Sequence, residues 1–523
     1  MNKSDIKSIL SQNMDLRDKL FARGFLFTND NVIENEYPFY GLWKKEKILS
    51  YTIMVSPKQT YYIQENNENY LILIGHAYNP FTMEKDENKI LKELINIDDS
   101  NVFLEKYNEL TGIFTLICIN EKKVYFFGDP TCMQCVFYTN YNNHIYASTH
   151  TNILGDLLSL KWDPFIKELS QYRFFKLFGN ALPGNLTQYK EVKRLIPNHY
   201  IVYDQNKIIN EKRFYYPTRM QKENVEIEKE FENLMHNNLT LIANKWKKPA
   251  ISMTGGCDSK TTLACANGLY DKFTYFSYIS SDSEKVDAEA AHKICTNLGL
   301  KHKIYNISKD DKEFENLEAT KHLLEWNTGD ITAINENDVR KRKFFEDIQD
   351  FDIEVKSWAS EIGRAYYSKR FNNRKNFGKK ATARKCTTLY KVFVHNRKLV
   401  KKVDSVFQEY LNNYFSQSKS NPIEWQEQFF WEYRVPSWNG LVITGEHKYS
   451  FDITIPYNNR KMLELLLSES LENRINDTLY GNVRNDMNSK IDEMNISVTN
   501  LKHTQKRAKI ENLYYIIHSK IPF

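Results

Sequence analysis

The chain has 523 residues, 41% of them hydrophobic and 26% charged, with 72 Lys and Arg against 66 Asp and Glu. That length exceeds what one hydrophobic core serves and predicts two or three domains, and the composition excludes a disordered or fibrous chain. No apolar run reaches the roughly 20 residues of a membrane span, the N-terminus does not read as a secretory signal, and seven scattered cysteines argue for reduced thiols, so a cytoplasmic protein with no membrane partner is expected.

Residues 1–20 read as an amphipathic helical extension, with Ile6, Ile9, Leu10 and Met14 at helical spacing. From 21 to 217 the pattern changes to short apolar runs such as "YLILIGHAY", "GIFTLICI", "KVYFFGD" and "NHYIVYD". Asn, Gly, Asp and Pro separate them, which predicts an antiparallel, turn-linked β domain. Helical patterns interrupt it at about 86–109 and 163–178. Cys132 and Cys135 form a C-x-x-C without the second pair that a zinc site needs, and read as turn residues. From 218 to 523 helices and strands alternate: "VEIEKEFENLMHNNLTLIANKW", "PAISMTGG", "DSKTTLACANGL", "KFTYFSYIS", "VDAEAAHKICTNLGL", "KHKIYNI" and "DIEVKSWASE". Alternation of this kind predicts a mostly parallel sheet with helices on both faces, followed by a helical part from about 386.

The stretch with most chemistry is "AISMTGGCDSKTTLACANG", residues 250–268. A buried strand ends in two glycines, Gly255 and Gly256, which let backbone approach a ligand and aim amides and a helix N-terminus at one point. Ser252, Thr254 and Ser259 add hydroxyls, and Asp258 adds a carboxylate. A carboxylate there repels a bare phosphate, so Mg²⁺ held by Asp258 between the two is expected. No G-x-x-x-x-G-K-[ST] occurs, so this is not a Walker A loop.

Strand, S/T-G-G-x-D-S, helix resembles the pyrophosphate loop of ATP pyrophosphatases. A β-rich domain placed before it resembles the asparagine synthetase family, which includes asparagine synthetase B, β-lactam synthetases and the cyclases of lasso peptides. "LTGIFTLICINEKKVYFFGDPTCMQCVFY" and "LPGNLTQYKEVKRLIPNHYIVYD" resemble parts of that family's class II glutamine amidotransferase domain. "SYISSDSEKVDAEAAHKICTNLGLKHKIY", with Ser280 and Asp287, resembles the segment on the adenosine side of ATP. "IEVKSWASEIGRAYY" resembles the second acidic motif, and "FDITIPYNNRKMLELLLS" a later stretch of the family. The resemblance implies an αββα sandwich of the N-terminal-nucleophile type, then a pyrophosphate-loop ATPase domain with a parallel sheet and a helical C-terminal part. It implies ATP and Mg²⁺ as ligands.

The departures matter as much. Asn2 stands where glutamine-hydrolysing relatives carry a cysteine, and Ile74 of "IGH" stands where they carry an amide for the oxyanion. An apolar side chain cannot hold an oxyanion, so a degenerate domain without glutaminase activity is expected. In the second acidic motif Glu361 is kept, Gly363 is shifted, and Arg364 replaces a metal-binding aspartate. Arg364 is read as a direct neutraliser of phosphate. For the lysine that meets departing pyrophosphate, Arg484 and Lys490 both stand in range.

Taken together, these residues imply an ATP-dependent ligase that adenylates a carboxylate, with Glu361 and Arg364 as catalytic residues. Ser252, Thr254, Gly255, Gly256, Asp258, Ser259, Ser280 and Asp287 are expected to bind ATP. The amine is free ammonia or an amino compound. A pseudoenzyme acting as a binding subunit and a nucleic-acid-modifying enzyme are the alternatives; the amidotransferase-like domain argues against the second. A homodimer is compatible with the sequence. Residues 362–403 carry 14 Lys and Arg and no acid, in a chain of net charge only +6. Such a run stays solvated or faces an anion, either protein carboxylates or a polyanionic acceptor.

Overall fold

The computed structural model describes the chain except residues 68, 121, 179–180, 205, 308–313, 332, 373–376, 391–394, 497, 499–504 and 522–523. Helix α1 (Lys3–Gln12) begins at Asn2, whose side chain accepts the amides of Ser4 and Asp5. A 3₁₀ turn, Met14–Lys19, extends it.

Strands β1 (Phe25–Thr28), β2 (Lys44–Ile48), β3 (Tyr51–Val55), β4 (Tyr61–Asn66) and β5 (Asn69–Tyr78) follow. Then come α2 (Glu87–Leu94), α3 (Ser100–Asn108), β6 (Thr111–Ile119), β7 (Lys123–Gly128), β8 (Phe137–Tyr141) and β9 (His144–Ser148). The domain closes with α4 (Thr151–Leu157), α5 (Pro164–Gln171), α6 (Arg173–Phe178), β10 (Lys193–Arg194), β11 (His199–Asp204) and β12 (Ile209–Arg213). The strands form two antiparallel sheets, ordered β10-β8-β9-β1-β3-β2 and β12-β11-β7-β6-β5-β4. Their alternating side chains explain the layers. Phe25, Phe27 and Val55 of one sheet meet Ile72, Ile74 and Phe126 of the other in an apolar core. Leu71, Leu73 and Leu116 face the opposite way, onto Ile90, Leu91 and Leu94 of α2. On the far side, Leu26 and Met54 meet Ile6 and Leu10 of α1 and Ile153 and Leu154 of α4. The result is the expected αββα sandwich.

Helix α7 (Asn224–Lys245) leads into β13 (Pro249–Ser252), α8 (Cys257–Cys265), β14 (Thr274–Ile279), α9 (Asp282–Asn297) and β15 (His302–Asn306). After α10 (Leu317–Asn327) and α11 (Glu336–Ile348) comes β16 (Ile353–Val355). The rest is helical: α12 (Tyr366–Arg370), α13 (Ala383–Tyr390), α14 (Arg397–Asn413), α15 (Trp425–Phe429), two π-helical segments at Phe430–Arg434 and Pro436–Gly440, and α16 (Leu441–Gly445). One strand, β17 (Asp452–Thr454), interrupts this part, where only helix was expected. Helices α17 (Arg460–Ser468), α18 (Leu471–Asn476), α19 (Thr478–Asn488), α20 (Lys490–Glu493) and α21 (Gln505–His518) end the chain. The parallel sheet is ordered β15-β14-β13-β16-β17. Three residues are too short to show a strand period, so β17 was invisible to patterning.

The two domains meet through buried polar groups. Asn458 donates to Gly112 O at 2.7 Å and to Asp129 Oδ1 at 2.9 Å. Asp129 in turn accepts the amides of Thr131, Met133 and Gln134. Tyr78 and Thr454 share a hydrogen bond of 3.0 Å beside β17. The Arg460 guanidinium, fully buried, lies between the rings of Tyr107 and Phe214, 4.9 and 5.1 Å from their centroids.

Candidate active site

From β13 the chain runs outward through β14 and β15, then returns to β16 and β17 on the other side. The loops leaving β13 and β16 therefore part company at the carboxyl edge of the sheet. That crevice is where open parallel sheets bind ligands. Thr262 Oγ1 and Ser357 Oγ meet across it at 2.7 Å.

The first loop is tightly built. A Cβ on Gly255 would stand 2.3 Å from Val498 Cγ2 and 2.8 Å from Ala290 Cβ. A Cβ on Gly256 would meet only Thr254 Oγ1, at 3.2 Å. Gly256 has φ −74°, and neither glycine lies in the left-handed region, so at Gly255 it is space rather than backbone freedom that requires glycine. The hydroxyls expected to meet a ligand are engaged within the loop. Thr254 Oγ1 accepts the Gly256 amide at 3.1 Å and contacts Ser259 Oγ at 2.9 Å, while Ser259 Oγ donates to Thr254 O at 2.8 Å. Ser252 donates to Val355 O at 3.4 Å. Ser280 gives both its amide and its hydroxyl to Glu284 Oε2, at 2.8 and 2.6 Å. Asp287 faces the Gly255 amide; burial raises its pKa and the amide opposes that.

Asp258 sits in the first turn of α8, where a helix N-terminus favours negative charge. Its Oδ2 accepts from Arg364 Nη1 at 2.6 Å. Its Oδ1 is buried without a hydrogen-bond partner among the described residues. Arg364 is held on its other edge by Asp477, with Nε to Oδ1 at 2.8 Å and Nη2 to Oδ2 at 2.9 Å, and Lys369 reaches Asp477 Oδ1 at 2.5 Å. Burial alone disfavours charge on Arg364, but Asp477 and Asp258 outweigh it and raise its pKa. Asp477 moves the other way: burial raises its pKa, and Arg364 and Lys369 pull it below the usual range. Arg364, expected to await a phosphate, is thus tied to two carboxylates.

Glu361 and Arg364 lie on a 3₁₀ turn, Ser360–Arg364. The turn is flanked by Ala359 at φ 69° and Ala365 at φ 49°, left-handed positions that cost a side-chain-bearing residue about 1 kcal/mol each. Gly363 lets the turn lie on α17: a Cβ there would stand 2.4 Å from Leu466 Cβ. Glu361 opens onto a cavity of about 360 Å³ whose walls include Asp258, Ser357, Trp358, Trp438 and His447. Crowding by surrounding protein, then the Asp258 charge, push its pKa up; Arg364, Arg434 and Lys369 oppose them.

Several participants were missed by sequence reasoning. Asp477 carried the signal of a helix start, just before "TLYGNVR", and nothing tied it to Arg364. Arg434 and Trp438 come from the π-helical segments, which have no readable period. Of the two cations left open, Arg484 reaches the loop helix, donating to Thr261 Oγ1 at 3.0 Å and Cys257 Sγ at 3.2 Å, while Lys490 is exposed. The basic run is paired with acids of the protein in part. Besides Arg364 and Lys369, Arg370 pairs with Glu511, Arg384 with Asp404 and Lys402 with Glu168. Lys379 and Lys380 are exposed, and Arg374 and Lys375 lie outside the described residues.

No family model and no curated protein matches the sequence. Among solved structures the chain is similar to an allosteric regulatory enzyme of purine biosynthesis, at 8% identity over 51% of this chain and 62% of that one, with a TM-score of 0.24. It is similar to glutamine phosphoribosylpyrophosphate amidotransferase from B. subtilis complexed with ADP and GMP, at 9% identity over 69% and 74% of the two chains, TM-score 0.21. A third, glutamine-dependent NAD+ synthetase from Acinetobacter baumannii in complex with ADP, shares 14% identity over 31% of this chain and 28% of that one, TM-score 0.17. The chain thus spans less than two thirds of the first and third of these structures. At TM-scores this low the likenesses carry no argument, and the functional reading rests on the site.

Proposed function

We propose that the protein is an ATP-dependent ligase of the asparagine synthetase type: it activates a carboxylate as an acyl-adenylate, releases pyrophosphate, and passes the acyl group to an amine or ammonia. The observation that carries this is Asp258, set in the first turn of a helix at the switch crevice, one oxygen without a partner, on the wall of a cavity that also holds Glu361. In the chemistry, the acceptor carboxylate attacks the α-phosphorus and the bond to pyrophosphate breaks. The amine then adds to the acyl carbon, loses a proton, and AMP leaves.

The Gly255 and Gly256 amides are engaged by Asp287 and Thr254, so the N-terminus of α8 is the part of the loop that would hold phosphate oxygens. Among the described residues no group of three His, Cys, Asp or Glu forms a metal cage. The unpartnered Asp258 Oδ1 instead fits a Mg²⁺ that arrives on the nucleotide and takes one protein carboxylate, a common mode for this ion. Bound there, Mg²⁺ would neutralise phosphate charge. Arg364 adds fixed positive charge beside the phosphates, oriented by Asp477. Glu361, with its pKa raised, is suited to take the proton that the amine loses.

Asp258→Asn is expected to abolish pyrophosphate–ATP isotope exchange, assayed over a panel of carboxylates, with the folded circular-dichroism spectrum retained. Normal exchange by this variant removes the assignment. The amine does not come from glutamine: Ile74 fills the inter-sheet core and Asn2 caps a helix. Glutamate release tracking the purified protein would overturn that. The Arg364–Asp258 pair favours a second reading, a subunit that binds nucleotide without turning it over. It predicts binding of a nonhydrolysable ATP analogue and no exchange with any carboxylate.

A further inference from the structure

We propose that Arg434, laid on the face of Trp438, is the handle that holds a second acidic group of the acceptor at the mouth of the cavity. The inference rests on the ligase reading in calling the ligand an acceptor. The recognition itself stands on geometry.

Arg434 closes the first π-helical segment and Trp438 lies within the second. The widened turns of π segments redirect side chains and recur at functional sites. Here they stack the guanidinium 4.5 Å from the Trp438 ring centroid. Trp438 is 47% exposed and forms part of the cavity wall. The other cations around this cleft are all bound to protein acids. Arg364 and Lys369 are on Asp477, Lys341 is on Glu284 and Asp338, and Arg342 is on Glu446. Among the described residues the Arg434 guanidinium forms no ion pair and no hydrogen bond; it lies against the indole, and Glu361 feels its charge from across the cleft. A guanidinium stacked in this way keeps its N–H fork free and preorganised for a carboxylate or phosphate.

The place of Arg434 separates it from the nucleotide. Its partner Trp438 and the adjacent Asn439 line the cavity, whereas Thr254, Gly255 and Gly256 of the phosphate loop do not. Trp358 supplies a second indole on the cavity wall, with Lys356 over its face at 5.1 Å. The cavity therefore suits a small acid with a flat or apolar body and two acidic groups. One would approach the nucleotide held beside Asp258 at the start of α8, and the other, carboxylate or phosphate, Arg434.

The test is tryptophan fluorescence of the full-length protein, with and without a nonhydrolysable ATP analogue, titrated with glutarate, UDP-glucuronate and pyrophosphate. Glutarate presents a second carboxylate, and UDP-glucuronate presents phosphates. We expect one of these two acids to give a saturable change that disappears in Trp438→Phe. Arg434→Gln should weaken that acid about tenfold or more, the loss of one charge-assisted contact, with partial recovery in Arg434→Lys. The affinities for pyrophosphate and the ATP analogue should hold within about twofold. Weakened pyrophosphate or analogue binding in Arg434→Gln would make Arg434 a nucleotide residue and overturn the proposal. Equal acid binding by Arg434→Gln and wild type, or no acid response at all, would also overturn it. Failure of the ATP analogue to bind, with the acid response intact, would instead count against the ligase reading alone.

Discussion

At the scale of single residues, environment decides what each acid does. Glu211 is half-buried, accepting from Tyr138 Oη at 2.6 Å and from the Ile196 amide at 3.0 Å, and its pKa is pushed up to about 7, chiefly by loss of solvent around the carboxyl. Below about pH 4.5, the ordinary value for Glu, it is protonated in both folded and unfolded chains and has no effect on their balance. Between about 4.5 and 7 only the folded chain holds the proton, so stability falls as pH rises through that window. Glu211→Gln removes the titration. Its advantage over wild type in thermal melts should be absent at pH 4 and grow to a plateau above pH 7, on the order of 3 kcal/mol. A pH-independent difference would refute the assignment. Asp258 and Glu361 were legible from sequence because short motifs mark them. Asp477 was not, because its partnership with Arg364 spans 113 residues and leaves no local pattern, and Arg434 and Trp438 were not, because the π segments that carry them have no readable period.

At the scale of elements, the site depends on close approach. Gly363→Ala would push the Ser360–Arg364 turn off α17, since the new Cβ falls within 2.4 Å of Leu466. Overpacking of this kind costs about 1–3 kcal/mol. We expect a lower melting temperature and a larger loss of isotope exchange, because Glu361 and Arg364 ride on the turn; unchanged exchange would show that the turn does not position the chemistry. Most elements were readable from pattern: the alternating strands of the sandwich, the 22-residue α7 and the strand–loop–helix at β13 and α8 all carry their period in the sequence. What could not be read was short or irregular. The three-residue β17 is fixed by its neighbour β16, through the register Ile353 to Asp452, and the π segments are fixed by packing.

At the scale of the whole molecule, the two domains share one polar seam. Among the described residues Arg460 has no carboxylate partner there, and it is held by aromatic faces, Asn198 Oδ1 at 3.2 Å and Gly128 O at 3.2 Å. Arg460→Leu should cost about 2–4 kcal/mol, by leaving Asn198 and Gly128 without their donor. Calorimetry of the wild type should show one unfolding transition for both domains, and two well-separated transitions would mean the seam is weaker than its burial implies. The chain order of a β domain before an α/β domain was plain from composition and punctuation. The seam was not, because it pairs Asn458 with Asp129 and Thr454 with Tyr78 at separations that no pattern bridges. The place of β17 has an evolutionary consequence. It is the outermost strand of the parallel sheet, and the sandwich lies against it through Tyr78 and through His76, 3.6 Å from Asp452. Bare sheet edges recruit other chains. Selection against aggregation would therefore preserve the sandwich even in a lineage where its pocket had drifted beyond any chemistry, and the ancestral gene could shed the activity long before it could shed the domain.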